Sequence, residues 1–322
     1  MNHSQLGILD QSIHETPIAV IDFETTGLTP GFDRVIEVSV VRLDPGGGSR
    51  VVLDTLVNPR RIVAATEIHG ITDSDVAGAP TFNDIAGDLV RALSDCPVAA
   101  YNVYFDIKFL ASELQQAGMD AVPPHFCLMY LRPMLGLGRR CTLENACQEH
   151  GIEYAPVHAA THDALAAAKL MEIYLGEMKA RGIGTFGELA KLKSYKFIDS
   201  FDLSPLPASL ATAFANCTRL KSRSGYTVQS AEPLAATPTE VSRPRRSPAG
   251  AYWDALKTVL SDLRVTDEEI VDLQRTKQSL GLSDEQTRAI HAKAFIGFFR
   301  NSHPTTAWMR RNAGSSTACT VA

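Results

Sequence analysis

The sequence lacks the features that mark secreted, zinc-binding or membrane proteins. Its six cysteines form no C-x-x-C pair and show no metal-ligand spacing, which argues against a structural zinc site and indicates reduced core thiols. No apolar run approaches the roughly 20 residues that span a bilayer, and residues 1–17 lack the basic-then-apolar layout of a secretion signal. These absences predict a cytoplasmic protein without membrane contact.

An excess of positive charge is also missing. The chain has 31 Lys and Arg against 36 Asp and Glu, for a net charge of −5. A nucleic acid ligand would therefore be held by local patches, metal ions or backbone donors, and the total charge neither establishes nor excludes one. With 322 residues and 45% hydrophobic content, the chain is long enough for two domains and a sizeable core.

The first half of the chain combines strand-like and helical patterns. Three β-branched runs separated by Gly and Pro turns predict an antiparallel meander at 18–24, 35–43 and 50–57. After them, apolar spacing predicts helices over 82–93, 106–116, 143–150 and about 158–179, with strands at 98–101 and 125–131. This order predicts an α/β fold in which helices flank one mixed central sheet.

The second half is predicted to contain a linker and a small helical module. Residues 219–249 carry six basic and two acidic residues without periodicity, which indicates a solvated basic tether, with nucleic acid contact as the alternative. Apolar spacing predicts a helix at 252–263, and capping boxes begin two more at Thr266 with Glu269 and at Ser283 with Gln286. The predicted organisation is a tail at 1–16, a main domain at 17–182, a helical extension at 183–218, the linker at 219–249, an all-α module at 250–300 and a disordered tail at 301–322.

Two carboxylates end the first predicted strand. Asp22 and Glu24 are two residues apart, so both side chains project from the same face of the sheet and can hold one divalent cation. A solvated or salt-bridged acidic pair is the alternative interpretation. The following turn, Thr25-Thr26-Gly27-Leu28, places backbone N–H groups and hydroxyls beside the two acids.

Further acids and histidines occur where later elements begin. Asp106 lies at a strand-to-helix junction, where a helix N-cap is the alternative to a metal ligand. Asp163 begins the Ala-rich helix, whose small residues would let it lie against the sheet and bring this carboxylate to the same cluster. His158 precedes that helix and is either a catalytic base or a solvated surface residue. His162 is a second base candidate, interpreted as solvated.

Together these motifs resemble the DEDDh exonuclease family, which includes the proofreading epsilon subunits of bacterial DNA polymerase III. The resemblance runs from about residue 17 to residue 179. It is carried by VIDFETTGL at 20–28, IHGIT at 68–72, Asn102-x-x-Phe105-Asp106, TLE at 142–144, and the His158-x4-Asp163 pair. The chain departs from the family pattern at Tyr101 and at Cys127-Leu128, which affects substrate details rather than the five catalytic positions.

The resemblance implies a ribonuclease H-like fold and a two-metal mechanism with Mg²⁺ or Mn²⁺. Asp22, Glu24 and Asp163 are implied to hold the first ion, Asp22 to bridge to the second with support from Asp106, and His158 to be the general base. By the same resemblance, Thr25, Thr26 and Leu28 are implied to contact or wedge the terminal nucleotides. His69 and Asn102 are implied to line the substrate groove. The implied reaction is hydrolysis from the 3′ end of a single strand, releasing 5′-monophosphates.

The substrate and the partners stay open at this point. Single-stranded DNA is favoured over RNA, which implies proofreading or repair, and an exoribonuclease with the same five residues is the main alternative. An inactive nucleic-acid-binding scaffold would require the loss of an acid or the histidine, and none is lost. The module at 250–300 resembles tellurite-resistance-type helical modules and is predicted to dock a protein, with a DNA polymerase among the candidates.

Overall fold

The computed structural model of the protein describes residues 7–46, 48–154, 159–214, 217–224, 247–260 and 265–301, with side chains described as far as 294. The strands are β1 (Ile18–Thr25), β2 (Val35–Asp44), β3 (Gly48–Leu56), β4 (Val98–Ala100) and β5 (His125–Cys127). The helices are α1 (Thr66–His69), α2 (Asp73–Val76), α3 (Phe82–Leu93), α4 (Val103–Gln116), α5 (Leu128–Met134), α6 (Leu143–Glu149), α7 (Ala160–Ala180), α8 (Phe186–Leu192), α9 (Pro248–Leu260), α10 (Asp267–Ser279) and α11 (Asp284–Asn301). Two 3₁₀ helices lie at Ile198–Asp202 and Ala208–Ala213.

The strands form one mixed sheet in the order β3-β2-β1-β4-β5. The first three strands pair antiparallel as the predicted meander, while β4 runs parallel to β1 and β5 runs parallel to β4. Helices α3, α4 and α7 pack against the sheet, which confirms the predicted α/β class. Among the helices that the structure describes, none combines the length and apolarity needed to cross a bilayer.

Helix α7 lies close against the sheet because its inner face is built of small residues. Ala164, Ala166, Ala167 and Ala168 are all buried, and the helix contacts β1, β2 and β3. Since short side chains allow a helix axis to approach a strand closely, the first turn of α7 comes next to the end of β1. The predicted position of this helix relative to the sheet is therefore confirmed.

One predicted strand is partly wrong. The expected strand at 125–131 ends at Cys127, and the chain continues as helix α5 from Leu128. All residues of this run are buried, and a fully apolar segment has no periodicity to separate a strand from a buried helix. The change of direction is fixed where the Met129 N–H donates to the Tyr101 carbonyl at 3.1 Å.

Two segments expected to lie outside the main domain are partly packed on it. In the N-terminal tail, Ile8 and Ile13 are buried, and the Ile13 N–H donates to the Gly184 carbonyl at 2.9 Å. At the start of the predicted linker, the Lys221 carbonyl accepts the Leu56 N–H at 2.8 Å, so this part of the linker lies beside the end of β3. Most of that linker and the predicted disordered tail lie outside the described residues.

The C-terminal helices begin and end close to the predicted positions. At the start of α10, Thr266 and Glu269 form the expected reciprocal capping box. Before α11, the Ser283 N–H donates to Gln286 at 2.9 Å, and the Gln286 N–H donates back to the Ser283 hydroxyl at 3.1 Å. Gly281 has a φ of +64°, the left-handed conformation that a helix end favours in glycine.

Candidate active site

Four carboxylates from three distant segments meet at the end of β1. Oxygens of Asp22, Glu24 and Asp163 lie within 4.8 Å of one another. Asp106 joins them from the first turn of α4, where its Oδ1 accepts the Phe23 N–H at 3.1 Å, between the two acids of β1. Because Asn102 is the N-cap of α4 and Asp106 lies inside the helix, the N-cap interpretation of Asp106 is wrong.

Burial and mutual repulsion make these carboxylates hold protons unusually tightly. Burial raises the pKa of Asp22 well above its ordinary value, and the negative charges of Asp163, Asp106 and Glu24 raise it further. Burial raises the pKa of Glu24 to about 8 and the pKa of Asp106 to about 7, although the positive charge of Lys257 opposes both shifts. A cluster of oxygen donors that costs this much to ionise is a good match for a hard divalent cation.

The turn after β1 is held by its own polar side chains. The Thr25 hydroxyl donates to the Gly27 carbonyl at 2.6 Å, and the Thr26 hydroxyl accepts the Arg34 N–H at 3.0 Å. Glycine suits position 27 because a Cβ there would lie 2.5 Å from the Asp33 carboxylate, which accepts the Thr29 N–H at 2.9 Å and would have to move. Both threonines are buried, so their hydroxyls shape the turn that positions Leu28.

The two residues predicted to line the groove differ in what they offer a ligand. The His69 ring is 3% exposed, its Nε2 lies 3.0 Å from the Ala64 carbonyl, and its Nδ1 accepts the Ile71 N–H at 3.1 Å. His69 therefore fixes the shape of its loop through both ring nitrogens. By contrast, the buried Oδ1 of Asn102 has no hydrogen-bond donor within the described part of the chain. Groove-lining roles for both stay predictions.

The predicted general base, His158, lies outside the described residues, and its role stays a prediction. The residue after it, Ala159, is the N-cap of α7, so the segment that carries His158 leads into the helix that carries Asp163. His162, expected to be solvated, is partly buried in the first turn of α7.

Tyr154 is a residue of the site that sequence reasoning missed. Its hydroxyl donates to Asp163 Oδ1 at 2.7 Å, so it holds one oxygen of this carboxylate in place. In the sequence it is a single tyrosine four residues before His158, and no local pattern distinguishes it from a surface aromatic residue.

Glu37 and Arg223 form a second missed feature, a buried ion pair beside the acids. Glu37 is fully buried and lies opposite Glu24 in the β1–β2 register. Its Oε2 accepts the Ala160 N–H at the start of α7 at 2.9 Å. Arg223 donates to both carboxylate oxygens, at 2.6 and 2.8 Å, and to the His69 carbonyl at 3.3 Å. The pair thus joins β2, α7, the His69 loop and the segment after 217.

We expect Arg223→Met to lower the free energy of unfolding by about 2 kcal/mol, because Glu37 would stay buried without its partner. The matched control is Arg50→Met, whose pair with Asp44 is partly exposed on both sides and should cost less than about 1 kcal/mol. Adding Glu37→Gln to Arg223→Met should recover most of the loss. Urea denaturation of the unmodified chain and the three variants measures these free energies of unfolding. Equal losses for Arg223→Met and Arg50→Met would contradict this account.

Lys257 is the fourth residue near the cluster that the sequence did not reveal. It belongs to α9 in the predicted protein-docking module, where its Nζ lies 3.0 Å from Asp254 Oδ1 and 5.3 Å from the centroid of the Phe105 ring. Burial lowers the pKa of Lys257, but the negative charges of Asp254, Glu24 and Asp22 outweigh it and raise that pKa. The ammonium group is therefore a positive charge close to the acidic site.

All four acids lie within residues 19–171, which match the family RNase_T, described as Exonuclease. Just under half of the chain, the part that holds the four acids, therefore resembles this family, in agreement with the resemblance predicted from the sequence.

Three curated relatives illustrate the similarity. The DNA polymerase III subunit epsilon-like protein of Rhodobacter capsulatus is 32% identical over 192 residues, covering 55% of this chain and 27% of that protein. The PolC-type DNA polymerase III of Thermotoga maritima is 28% identical, covering 62% and 15%. The 3′-5′ exonuclease DinG of Staphylococcus aureus is 26% identical, covering 58% and 21%. The aligned region spans less than a third of each relative.

Proposed function

We propose that this protein is a metal-dependent 3′→5′ exonuclease that removes nucleotides from the 3′ end of single-stranded DNA in proofreading or repair. The observation that carries the proposal is the convergence of Asp22, Glu24 and Asp163 within 4.8 Å, with Asp106 beside them. The names of the relatives, two DNA polymerase III proteins and one 3′-5′ exonuclease, support the direction of hydrolysis and the choice of DNA.

The acidic cluster suits a pair of divalent cations, Mg²⁺ or Mn²⁺. Asp22, Glu24 and Asp163 would hold the first ion, and Asp22 with Asp106 would hold the second. When bound, the ions supply positive charge that stabilises the transition state at the scissile phosphate and the leaving 3′ oxygen. Oxygen ligands at this spacing, in a site that is costly to ionise without a cation, are the physical basis of this assignment.

The remaining residues position these acids and the DNA end. Tyr154 fixes the orientation of Asp163, and the Phe23 N–H fixes Asp106. The Asn102 Oδ1 is an available acceptor for a hydroxyl of the terminal sugar. His158 would take the proton of the attacking water, since an imidazole with an ordinary pKa near 6.5 accepts a proton near neutral pH.

Leu28 would be the wedge against the terminal base, held by the turn that Thr25 and Thr26 stabilise. His69 would contribute the wall of the groove through the loop that its ring maintains rather than through a ring hydrogen bond. These assignments follow the family resemblance and the positions of the side chains.

The test uses 5′-labelled single strands of DNA and RNA with the same sequence, incubated with Mg²⁺ or with a chelator. We expect a ladder of labelled DNA products that shorten from the 3′ end with Mg²⁺ and no products with the chelator. Release of the label as a mononucleotide would show the opposite polarity, and cleavage in the chelator would exclude a metal mechanism. Faster shortening of RNA would favour the exoribonuclease alternative.

A further inference from the structure

Helix α9 places a positive charge near the acids that are proposed to hold the cations. Lys257 is close enough to Asp22, Glu24 and Asp106 for its charge to stabilise their ionised forms. Its Nζ also lies 5.3 Å from the centroid of the Phe105 ring, which is next to Asp106 on α4. The ammonium group of the module therefore lies in the neighbourhood of the acidic cluster.

The apolar side chains of the same helix pack on α1, beside the turn that follows the acids of β1. Ile68 of α1 belongs to one buried apolar cluster with Tyr252, Trp253 and Leu256 of α9, and Leu28 packs against that cluster. Trp253 lies one turn before Lys257, so the two side chains lie on the same side of α9. The residue proposed to wedge the terminal base thus packs against the same apolar cluster as the module.

Polar contacts hold the module at two other segments of the domain. On the α1 side, Lys293 of α11 pairs with Glu67, and the Ser247 hydroxyl donates to the Glu67 carbonyl. In the loop after α5, Arg140 pairs with Glu269 of α10 at 2.9 Å, with both side chains largely buried. Contacts at two separate segments of the domain fix the position of α9 between them.

We propose that α9 is an intramolecular competitor of the DNA 3′ end, with Trp253 and Leu256 packed in one cluster with Ile68, beside Leu28, and Lys257 next to Phe105 and the acids. The inference rests on the proposed function, because it takes the groove at Leu28 and the acids as the site of the terminal nucleotide. A strand can then bind only after α9 leaves, and its apparent affinity is reduced by the fraction of molecules in the open state.

A different arrangement would use the same residues in the opposite way. If α9 closed over bound DNA, Lys257 would contact a phosphate and Trp253 would stack on a base. The structure favours competition because Ile68 is only 8% exposed and Leu28 already packs against the apolar cluster that Ile68 forms with α9. The two arrangements predict opposite changes in DNA affinity when the packing of α9 on the domain is weakened.

The experiment measures DNA binding by the full chain with Trp253→Ala/Lys257→Ala. The probe is a 5′-fluorescein oligo(dT) of about 15 nucleotides with phosphorothioate linkages, followed by fluorescence anisotropy. We expect the double variant to bind at least about tenfold more tightly than the unmodified chain, because the displacement of α9 then costs little free energy. The matched control, Arg275→Ala, changes an exposed residue of α10 and should bind as the unmodified chain does. Unchanged or weaker binding by the double variant would overturn the proposal.

A surface charge exchange tests the same point without touching the core. Glu67→Lys should repel Lys293 and tighten DNA binding by about twofold to fivefold, since an exposed pair contributes little, and adding Lys293→Glu should reverse the effect. Titration with Mn²⁺ adds a readout that involves no DNA, because removing the Lys257 charge should also tighten metal binding. If no protein shortened DNA but the binding differences appeared, the catalytic proposal would fail while the competition by α9 stood.

Discussion

Replacing Asp22 by Asn is expected to lower kcat/KM for single-stranded DNA by about three orders of magnitude without disturbing the fold. Asp22 lies at the centre of the cluster, with Asp163, Asp106 and Glu24 all close enough to raise its pKa. Asparagine keeps the shape of the side chain but removes the charge that a cation requires. Asp22 is also the residue implied to contact both ions. The assay is the shortening of 5′-labelled DNA with Mg²⁺.

The matched control for this variant is Asp120→Asn, which changes an exposed aspartate in the loop after α4 and should leave the rate within about twofold of the unmodified chain. The same Asp22→Asn change should raise the melting temperature of the metal-free protein, because it removes one of several repelling carboxylates. Loss of activity together with a lower melting temperature would indicate damage to the fold instead of loss of a ligand.

Much of the fold followed from local patterns. The meander of β1 to β3 and the helix at 82–93 were predicted to within a few residues, because β-branched runs and a clear apolar stripe define them locally. The short helices α1 and α2 were not predicted, since a four-residue helix carries too little periodicity to detect. The run at 125–131 changed from strand to helix because every residue in it is buried.

The four acids could be found in the sequence because they lie in short, recognisable motifs. The residues that surround them in the folded protein could not be found in this way. Glu37 gave a faint signal as a lone acid within an apolar strand, and its partner Arg223 lies 186 residues away in a segment with the composition of a linker. Lys257 sits on an amphipathic helix whose pattern indicates only that one side is buried. Contacts between distant segments depend on tertiary packing, which local spacing does not encode.

Raising the pH from 6.5 to 8 is expected to lower the stability of the metal-free protein by about 2 kcal/mol. In the unfolded chain Glu24 has its ordinary pKa of 4.5, whereas in the folded protein burial raises that pKa to about 8. Between these values the folded state binds more protons than the unfolded state, so the free energy of unfolding falls as pH rises. Asp22 acts in the same direction, and solvent screening of the partly exposed Glu24 keeps the total below the full sum.

Above pH 6.5 the acids outweigh the histidines. Burial lowers the pKa of His125 from 6.5 to about 4, so this residue makes the protein more stable mainly as pH rises toward 6.5, and above that pH it adds less than about 0.5 kcal/mol. Urea denaturation in chelator at pH 6.5, 7 and 8 measures the slope, and Glu24→Gln should flatten it.

Adding Mn²⁺ should reverse the trend, because the cation binds the ionised cluster and a concentration 100 times its Kd adds about 2.7 kcal/mol of stability. Its effect should be larger at pH 8 than at pH 6.5, since protons compete with the metal for Asp22, Glu24 and Asp106 at the lower pH. A metal-free protein equally stable at both pH values, with no response to Mn²⁺, would mean that the four carboxylates do not form the charged centre on which the exonuclease assignment depends.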